Sequence, residues 1–252
     1  MRRHFFLLLP ALFITIADSE GQQSHDRHAL FSLLLSRYVE DGSVDYVGFS
    51  GDSLFQQYLD HLASTNPDSL HSRDDRLSLW INAYNAYTIK LIIDRMPLKS
   101  IRDISMGLPF LFGPWSIPLA NVGGAFYTLN EIEHDIIREE FQDPRTHFAL
   151  VCASKSCPKL REEAYEGLRL QTQLEEDTQK FINDPDRNRF DLHGGVIFLS
   201  KIFDWYESDL EREGGSVRDF LVRYSNDEAR QFLNNPNIEI EYLPYDWSLN
   251  GK

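Results

Sequence analysis

Residues Asp75–Arg95, DRLSLWINAYNAYTIKLIIDR, set the architecture of this chain. Their apolar side chains recur at helical spacing and cover most sides of the helix rather than one stripe. A helix of that kind is buried, because each of its faces needs an apolar neighbour. We therefore predict that the other elements pack around this helix, which Pro97 ends.

Shorter helices and strands are predicted on either side of the central helix. Helical patterns predict helices at His25–Val39, Leu54–Ala63, Asn130–Glu140, Glu162–Ile182, Ile202–Leu210, Val217–Tyr224 and Asp227–Leu233. Apolar or alternating runs predict strands at Phe126–Leu129, Thr146–Val151, Phe190–Leu192, Val196–Leu199 and Ile238–Leu243. The mixture predicts one α+β domain, in which a small, mainly antiparallel sheet packs with several helices.

The segment Pro97–Gly124 is long, irregular and rich in apolar residues such as Phe110, Phe112 and Trp115. Loops of this length in compact domains are either functional or disordered, and the apolar composition argues against disorder. We expect the segment to form a packed lid or the wall of a pocket.

The amino terminus has the pattern of a secretory signal peptide. Arg2 and Arg3 precede the almost wholly apolar run Phe5–Ala17, after which the sequence becomes polar. The run is too short for a comfortable transmembrane helix, although an uncleaved membrane anchor is left open. We predict a signal peptide at 1–17, a linker at 18–24 and a single domain at 25–252. The domain is expected to be exported, periplasmic or extracellular, and not inserted in a membrane after cleavage.

The chain is acidic, with a formal net charge of −14 over 252 residues. Loss of Arg2 and Arg3 with the signal peptide changes this charge to −16. Because such a surface repels phosphate groups, nucleic acids and anionic membranes are not expected as partners. The hydrophobic fraction of 42% is enough for one domain with a substantial core. The oligomeric state is left open.

Residues Asp143–Leu160, DPRTHFALVCASKSCPKL, hold both cysteines of the chain. Cys152 falls where the predicted strand ends. Cys157 precedes Pro158 at an expected helix N-cap, where the helix dipole favours a thiolate. Each cysteine is therefore a candidate nucleophile. In an exported protein the two cysteines are also suited to a disulfide, and this alternative stays open.

The helix predicted at 130–140 carries Glu131, Glu133 and His134 in its first turns. The positive end of the helix dipole disfavours imidazolium there, so His134 tends to stay neutral, as a general base must be. Glu133 or Glu131 would orient the imidazole. Both glutamates also fit capping boxes, with Asn130 and Thr128 respectively, so a purely structural role is the alternative.

Further polar residues are candidates for contact with a substrate: Asn82, Asn85, Arg145, His147 and Ser154. The two asparagines share one face of the central helix and either tie it to a loop or line a pocket, because buried amides need partners. Arg145 either binds a substrate carboxylate or anchors its turn, and His147 is either a catalyst or a hydrogen-bonded core residue.

A metal site would pool the histidines, the cysteines and a glutamate. The spacing of these residues lacks the two close pairs that are typical of zinc sites. We therefore predict no metal and no cofactor, with a metal-binding protein kept as an alternative.

Five segments together resemble the family known as domain of unknown function 547. They are Trp80–Asn85 (WINAYN), Ile132–His134 (IEH), Asp143–Pro158, Leu199–Tyr206 (LSKIFDWY) and Tyr245–Asn250 (YDWSLN). The resemblance spans roughly residues 25–250. A suspected relation of this family to papain-like or transglutaminase-like cysteine hydrolases implies that Glu133, His134 and Cys152, with Cys157 next, match the catalytic motif. Because the histidine precedes the cysteine here, the relation implies a permuted papain-like core.

The sequence thus predicts an exported cysteine-dependent hydrolase or acyl transferase, peptidase-like, acting on an amide or ester such as a peptide or a cell-envelope amide. Cys152 attacks the carbonyl, His134 takes the thiol proton, and Glu133 orients the imidazole. Backbone amides near Ser154 hold the oxyanion. The alternatives are a non-catalytic module that binds a peptide or another partner and contains a structural disulfide, and a metal-binding protein.

Overall fold

The computed structural model describes residues 27–104, 113–191, 194–212, 215–235 and 237–252. The predicted signal peptide and linker lie outside these ranges, as do Phe110 and Phe112 of the predicted pocket wall. Across the described ranges, no helix is both long and apolar enough to cross a membrane.

Helices make up most of the ordered structure. The α-helices are α1 (Ala29–Tyr38), α2 (Tyr46–Gly51), α3 (Ser53–Ser64), α4 (Arg73–Ile93), α5 (Leu170–Ile182), α6 (Ile202–Trp205), α7 (Glu207–Leu210), α8 (Val217–Tyr224) and α9 (Asp227–Leu233). A π-helix spans Glu131–Phe141. Short 3-10 helices lie at Pro67–Ser69, Ile101–Asp103, Pro114–Ser116, Pro144–Phe148 and Gly167–Arg169.

The strands are short and pair in three small sheets. Strands β1 (Val39–Glu40) and β2 (Ser43–Val44) form one antiparallel pair, and β3 (Ala120–Val122) and β4 (Ala125–Tyr127) form another. The third sheet has the order β5 (Arg189–Asp191), β6 (Val196–Leu199), β7 (Glu239–Tyr242). In it, β5 pairs antiparallel and β7 pairs parallel to β6. The predicted α+β class with a small, mainly antiparallel sheet is confirmed.

Helix α4 is the buried centre of the domain, as predicted. The hydroxyl of Ser72 accepts a hydrogen bond from the Asp75 N–H and so caps its first turn. Its side chains are buried almost continuously from Leu77 to Ile92, so it has no exposed stripe. The main apolar core forms around this helix, and a second, smaller core collects around Phe148 and Phe203.

Two asparagines of α4 hold the loops that surround it. The Asn85 amide donates to the Ala149 carbonyl and its oxygen accepts from the Val151 N–H, each over 3.0 Å. Asn82 makes the same pair of bonds to the N–H and carbonyl of Tyr165, over 2.9 and 2.8 Å. Each asparagine side chain thus supplies the donor and the acceptor that a neighbouring strand would otherwise provide to these backbone groups. The predicted substrate-binding role of both residues is therefore corrected to a structural one.

The predicted strand Thr146–Val151 is wrong. Residues Pro144–Phe148 form a 3-10 helix that Asp143 caps, because its carboxylate accepts from the Arg145 N–H. The remaining apolar residues of the run bond to Asn85 instead of a strand. An apolar run rich in β-branched and aromatic residues indicates burial, but its periodicity does not distinguish a strand from a packed turn.

The predicted helix at Glu162–Ile182 begins later, at Leu170. Residues 162–166 are irregular and Gly167–Arg169 form a 3-10 helix, because the Asn82 pair and the Gln173 side chain satisfy the backbone groups of residues 164–166. The Gln173 oxygen accepts from the Glu166 N–H and its amide donates to the Ala164 carbonyl, both over 2.9 Å. These bonds replace the intrahelical ones that the charge pattern predicts.

We expect Asn85→Ala to lower the free energy of unfolding by about 2–5 kcal/mol, because it leaves a buried N–H and a buried carbonyl without partners. Chemical denaturation followed by circular dichroism measures the loss. The control is Gln56→Ala, which removes a surface hydrogen bond to Asp60 and should change the unfolding free energy by about 0.5 kcal/mol or less. Equal effects of the two substitutions would contradict the tie between α4 and its loop.

Candidate functional site

A cavity of about 300 Å³ lies where the two apolar cores meet. The lining residues with a sulfur atom or an acidic or imidazole side chain are Glu133, His134, His147, Cys152 and Cys157. Its aromatic lining consists of Tyr84, Trp115, Trp205, Tyr206, Tyr245 and Trp247. The fold brings together in its wall all four residues predicted to be catalytic: Glu133, His134, Cys152 and Cys157.

The two cysteines are joined as a disulfide, with an S–S distance of 2.09 Å. Cys157 is buried, whereas Cys152 is partly exposed toward the cavity. Neither sulfur is therefore a free thiolate in this form of the protein. The disulfide is the alternative that the sequence left open for these residues.

Hydroxyl groups surround the sulfurs. The Ser154 hydroxyl lies 3.2 Å from the Cys152 sulfur and 3.3 Å from that of Cys157. The Tyr245 hydroxyl lies 3.4 and 3.3 Å from the same two atoms. The Cys152 N–H also points at the Cys157 sulfur, over 2.9 Å. Ser154, predicted as a substrate contact, therefore serves the disulfide.

The carboxy-terminal tail covers the disulfide loop and places Tyr245 and Trp247 in the cavity wall. The Lys155 N–H donates to the Ser248 carbonyl, and the Ser156 N–H donates to the Asp246 carbonyl. The Ala153 carbonyl, at a residue with a φ of 61°, accepts from the Asn250 N–H. The loop is thus fixed along its length by a segment that lies far away in sequence.

Glu133 is a buried carboxylate held by two tyrosines. The hydroxyl of Tyr84, on α4, donates to its Oε2 over 3.0 Å, and the hydroxyl of Tyr206 donates to its Oε1 over 2.5 Å. Burial and the neighbouring carboxylate raise the pKa of both phenols, so they stay protonated donors. Glu133 therefore contacts tyrosines, and the prediction that it orients an imidazole is corrected.

The carboxylate that binds an imidazole in this site is that of Asp209, and the imidazole is that of His147. The Asp209 carboxylate accepts from His147 Nε2 over 2.8 Å, from Arg138 Nε over 2.6 Å and from Arg212 over 2.9 Å. The hydrogen bond from His147 and the Arg138 guanidinium hold the pKa of Asp209 well below its usual range. The His147 ring also stacks on Tyr206, with ring centroids 3.7 Å apart.

The two histidines have different hydrogen-bond partners. Burial lowers the pKa of His147, and its Nε2 carries the proton that it donates to Asp209, so Nδ1 is unprotonated. The Nδ1 of His134 lies 2.9 Å from the Arg138 guanidinium, which can only donate. His134 therefore accepts at Nδ1 and carries its proton on Nε2. The π-helix allows this contact, because residues four apart share a face.

Of the remaining predictions, the capping box of Glu131 is confirmed and the substrate contact of Arg145 is not. Glu131 and Thr128 form the expected capping box: the Glu131 carboxylate accepts from the Thr128 N–H over 2.7 Å and the Thr128 hydroxyl accepts from the Glu131 N–H over 3.0 Å. Arg145 pairs with Asp143 over 2.7 Å and anchors its turn. It does not line the cavity, so its predicted substrate contact is corrected.

Asp209, Arg138, Tyr84 and Tyr206 are site residues that the sequence reasoning missed. Tyr206 appeared in the sequence only as the last residue of the segment Leu199–Tyr206 that carries the family resemblance. Arg138, one helical turn after His134, was the available signal, because residues three and four apart on a helix interact. In the described part of the chain, no group of three or more His, Cys, Asp or Glu side chains is arranged to hold a metal ion.

A larger cavity of about 750 Å³ shares Pro158 with the first. Its charged side chains bind one another: Lys159 pairs with Asp41, and Arg187 pairs with Asp184. None of the predicted reactive residues lines it. The smaller cavity is therefore the candidate functional site.

We expect Asp209→Asn to lower the free energy of unfolding by about 2–4 kcal/mol, because the arginines and His147 lose a buried anionic acceptor. Thermal and chemical denaturation measure the change. The control is Asp204→Asn, which removes an exposed pair with Lys201 and should cost less than about 1 kcal/mol. A stable Asp209→Asn protein with an unchanged His147 tautomer by NMR would contradict the assigned network.

The comparisons with known proteins give a family and no activity. No curated protein and no solved structure matches the chain. A family model described as "Protein of unknown function, DUF547" matches residues 67–182, which contain α4, the π-helix and the disulfide loop. This segment, a little less than half of the chain, is similar to the family DUF547.

Proposed function

We propose that this protein is a recognition module that binds a small molecule or the side chain of a peptide in the 300 Å³ cavity. The observation that carries the proposal is the disulfide: the cavity wall contains both sulfurs in bonded form, and their polar neighbours are hydroxyl groups. A site without a free nucleophile can still bind, and its volume lies at the lower end of the range for small-ligand sites.

The lining supports a binding role. Ligand sites are typically apolar and aromatic, with a few fixed polar groups that orient the ligand. Here the aromatic rings of Trp115, Trp205 and Trp247 accompany Glu133 and the two histidines. Trp205 remains 45% exposed although it packs on Tyr245 and Trp247. Such a large exposed ring at a cavity is a common anchor for a partner.

The site is also preorganised. The disulfide, the tail and the asparagine ties of α4 fix three separate segments of the wall. A rigid wall lowers the entropy that is lost when a ligand binds.

The chain contains four tryptophans, and these allow a direct test by NMR. We expect a panel of N-acetyl amino-acid amides to include members that shift the indole signals of Trp115, Trp205 and Trp247. Trp80 is the internal control, because it is buried in α4 and lies outside the cavity. A panel in which no compound shifts the three cavity signals, or in which Trp80 responds equally, would count against the proposal.

The second candidate function is a cysteine-dependent hydrolase or acyl transferase that works after reduction. A specific observation favours it: Cys152 is partly exposed in the same cavity as His134 and His147. In the reduced protein the Cys152 sulfur would attack a carbonyl while His147 or His134 accepts the thiol proton, and the imidazolium would then protonate the leaving group. His147, which Asp209 orients, has the arrangement of a base with its positioning carboxylate.

The two cysteine variants separate the two functions. We expect a hydrolase to make Cys157→Ala active on 4-nitrophenyl acetate without reductant, because this variant frees Cys152. Cys152→Ala should be inactive with or without reductant, and Cys157→Ala with His147→Gln and His134→Gln should fall to the rate of a free thiol. Equal rates for all variants would exclude the hydrolase, and the recognition role would be unaffected.

A further inference from the structure

We infer that the cavity binds a cation whose nitrogen is fully N-methylated, such as a trimethylammonium group. This inference rests on the proposed recognition function and names the class of ligand. It combines the charge of the lining with the position of its aromatic rings.

The charge of the lining is negative. Glu133 is the formally charged residue among the described residues of the wall, since burial lowers the pKa of His147 and His134 accepts from Arg138 at Nδ1. Its carboxylate accepts from two tyrosine hydroxyls that keep their protons. Arg138 lies outside this lining, where it shares the Asp209 carboxylate with Arg212. A lining whose formal charge is negative, in a chain of charge −14, favours a positive ligand over a negative one.

The aromatic rings provide the second attraction. The ring centroids of Trp205, Tyr245 and Trp247 lie 4.5–5.8 Å from one another, and Trp115 lies 5.9 Å from Trp247. The face of each ring carries a negative quadrupole that attracts a cation within about 6 Å. A cation already contacts this cluster: the Arg102 guanidinium lies 5.1 Å from the centroid of Trp247.

The hydrogen-bonding capacity of the wall selects among cations. A primary ammonium has three N–H donors that need three acceptors once it leaves water. The Glu133 oxygens are already engaged by tyrosines, and most of the remaining wall is aromatic or apolar. A trimethylammonium group has no N–H donors and a weakly hydrated, spread charge, so it loses little on transfer into this wall.

Choline and its neutral isostere 3,3-dimethylbutan-1-ol test the inference. The two have the same shape and differ in charge, so we expect choline to bind at least about tenfold more tightly, by calorimetry and by the cavity indole signals. Glu133→Gln should weaken choline binding by about tenfold. The matched control is Glu131→Gln, which changes an exposed capping glutamate two residues away and should leave binding unchanged.

A second variant covers the case in which Glu133→Gln does not fold. Trp205→Leu changes a partly exposed ring and should weaken choline several-fold while thermal melting stays close to that of the parent. Equal binding of choline and the isostere, or full choline binding in both variants, would overturn the cation preference and leave the recognition role standing. If choline, the isostere and the amide panel all fail to bind, the proposed function itself is wrong.

Discussion

The amide side chain of Asn85 is the interaction on which the site depends. It lies inside the most buried helix of the domain and satisfies the backbone on both sides of Leu150, directly before the disulfide loop. Neither strand nor helix provides partners for these backbone groups. A buried polar group destabilises the fold unless it is paired, so these hydrogen bonds both stabilise the folded state and fix the position of the chain. The position of Cys152, which follows this segment directly, is consequently fixed in the cavity wall.

Asp209 performs the corresponding task between the two cores. One carboxylate receives His147 from the 3-10 helix, Arg138 from the π-helix and Arg212 from its own helical region. The adjacent π-helix and 3-10 helix thus meet the region of α7, 62 to 71 positions later, at one anion, and His147 takes its tautomer from it. The cavity combines this charged side with an aromatic side, which the tail completes.

The sequence predicted those features that local pattern determines. The central helix lies within two residues of its predicted bounds, and the β5–β6 hairpin and the Thr128–Glu131 capping box are present. The four predicted catalytic residues also share one wall, because the motif residues occupy adjoining segments. The Glu133 and His147 partners were missed because Tyr206 and Asp209 lie 73 and 62 positions away. No periodicity encodes such a pairing, and the false strand at Thr146–Val151 has the same cause, since its partner is a side chain of α4.

The tail contacts have a consequence for how the site is assembled. Tyr245 lies 93 positions after Cys152, so both cysteines leave the ribosome long before the aromatic residues that enclose them. The two sulfurs can meet early, because the cysteines are only five positions apart and the loop between them is short. Trp247 and its neighbours are synthesised later and complete the cavity wall. A nascent or carboxy-terminally clipped chain would accordingly lack this side of the wall and leave the backbone of the disulfide loop without its partners.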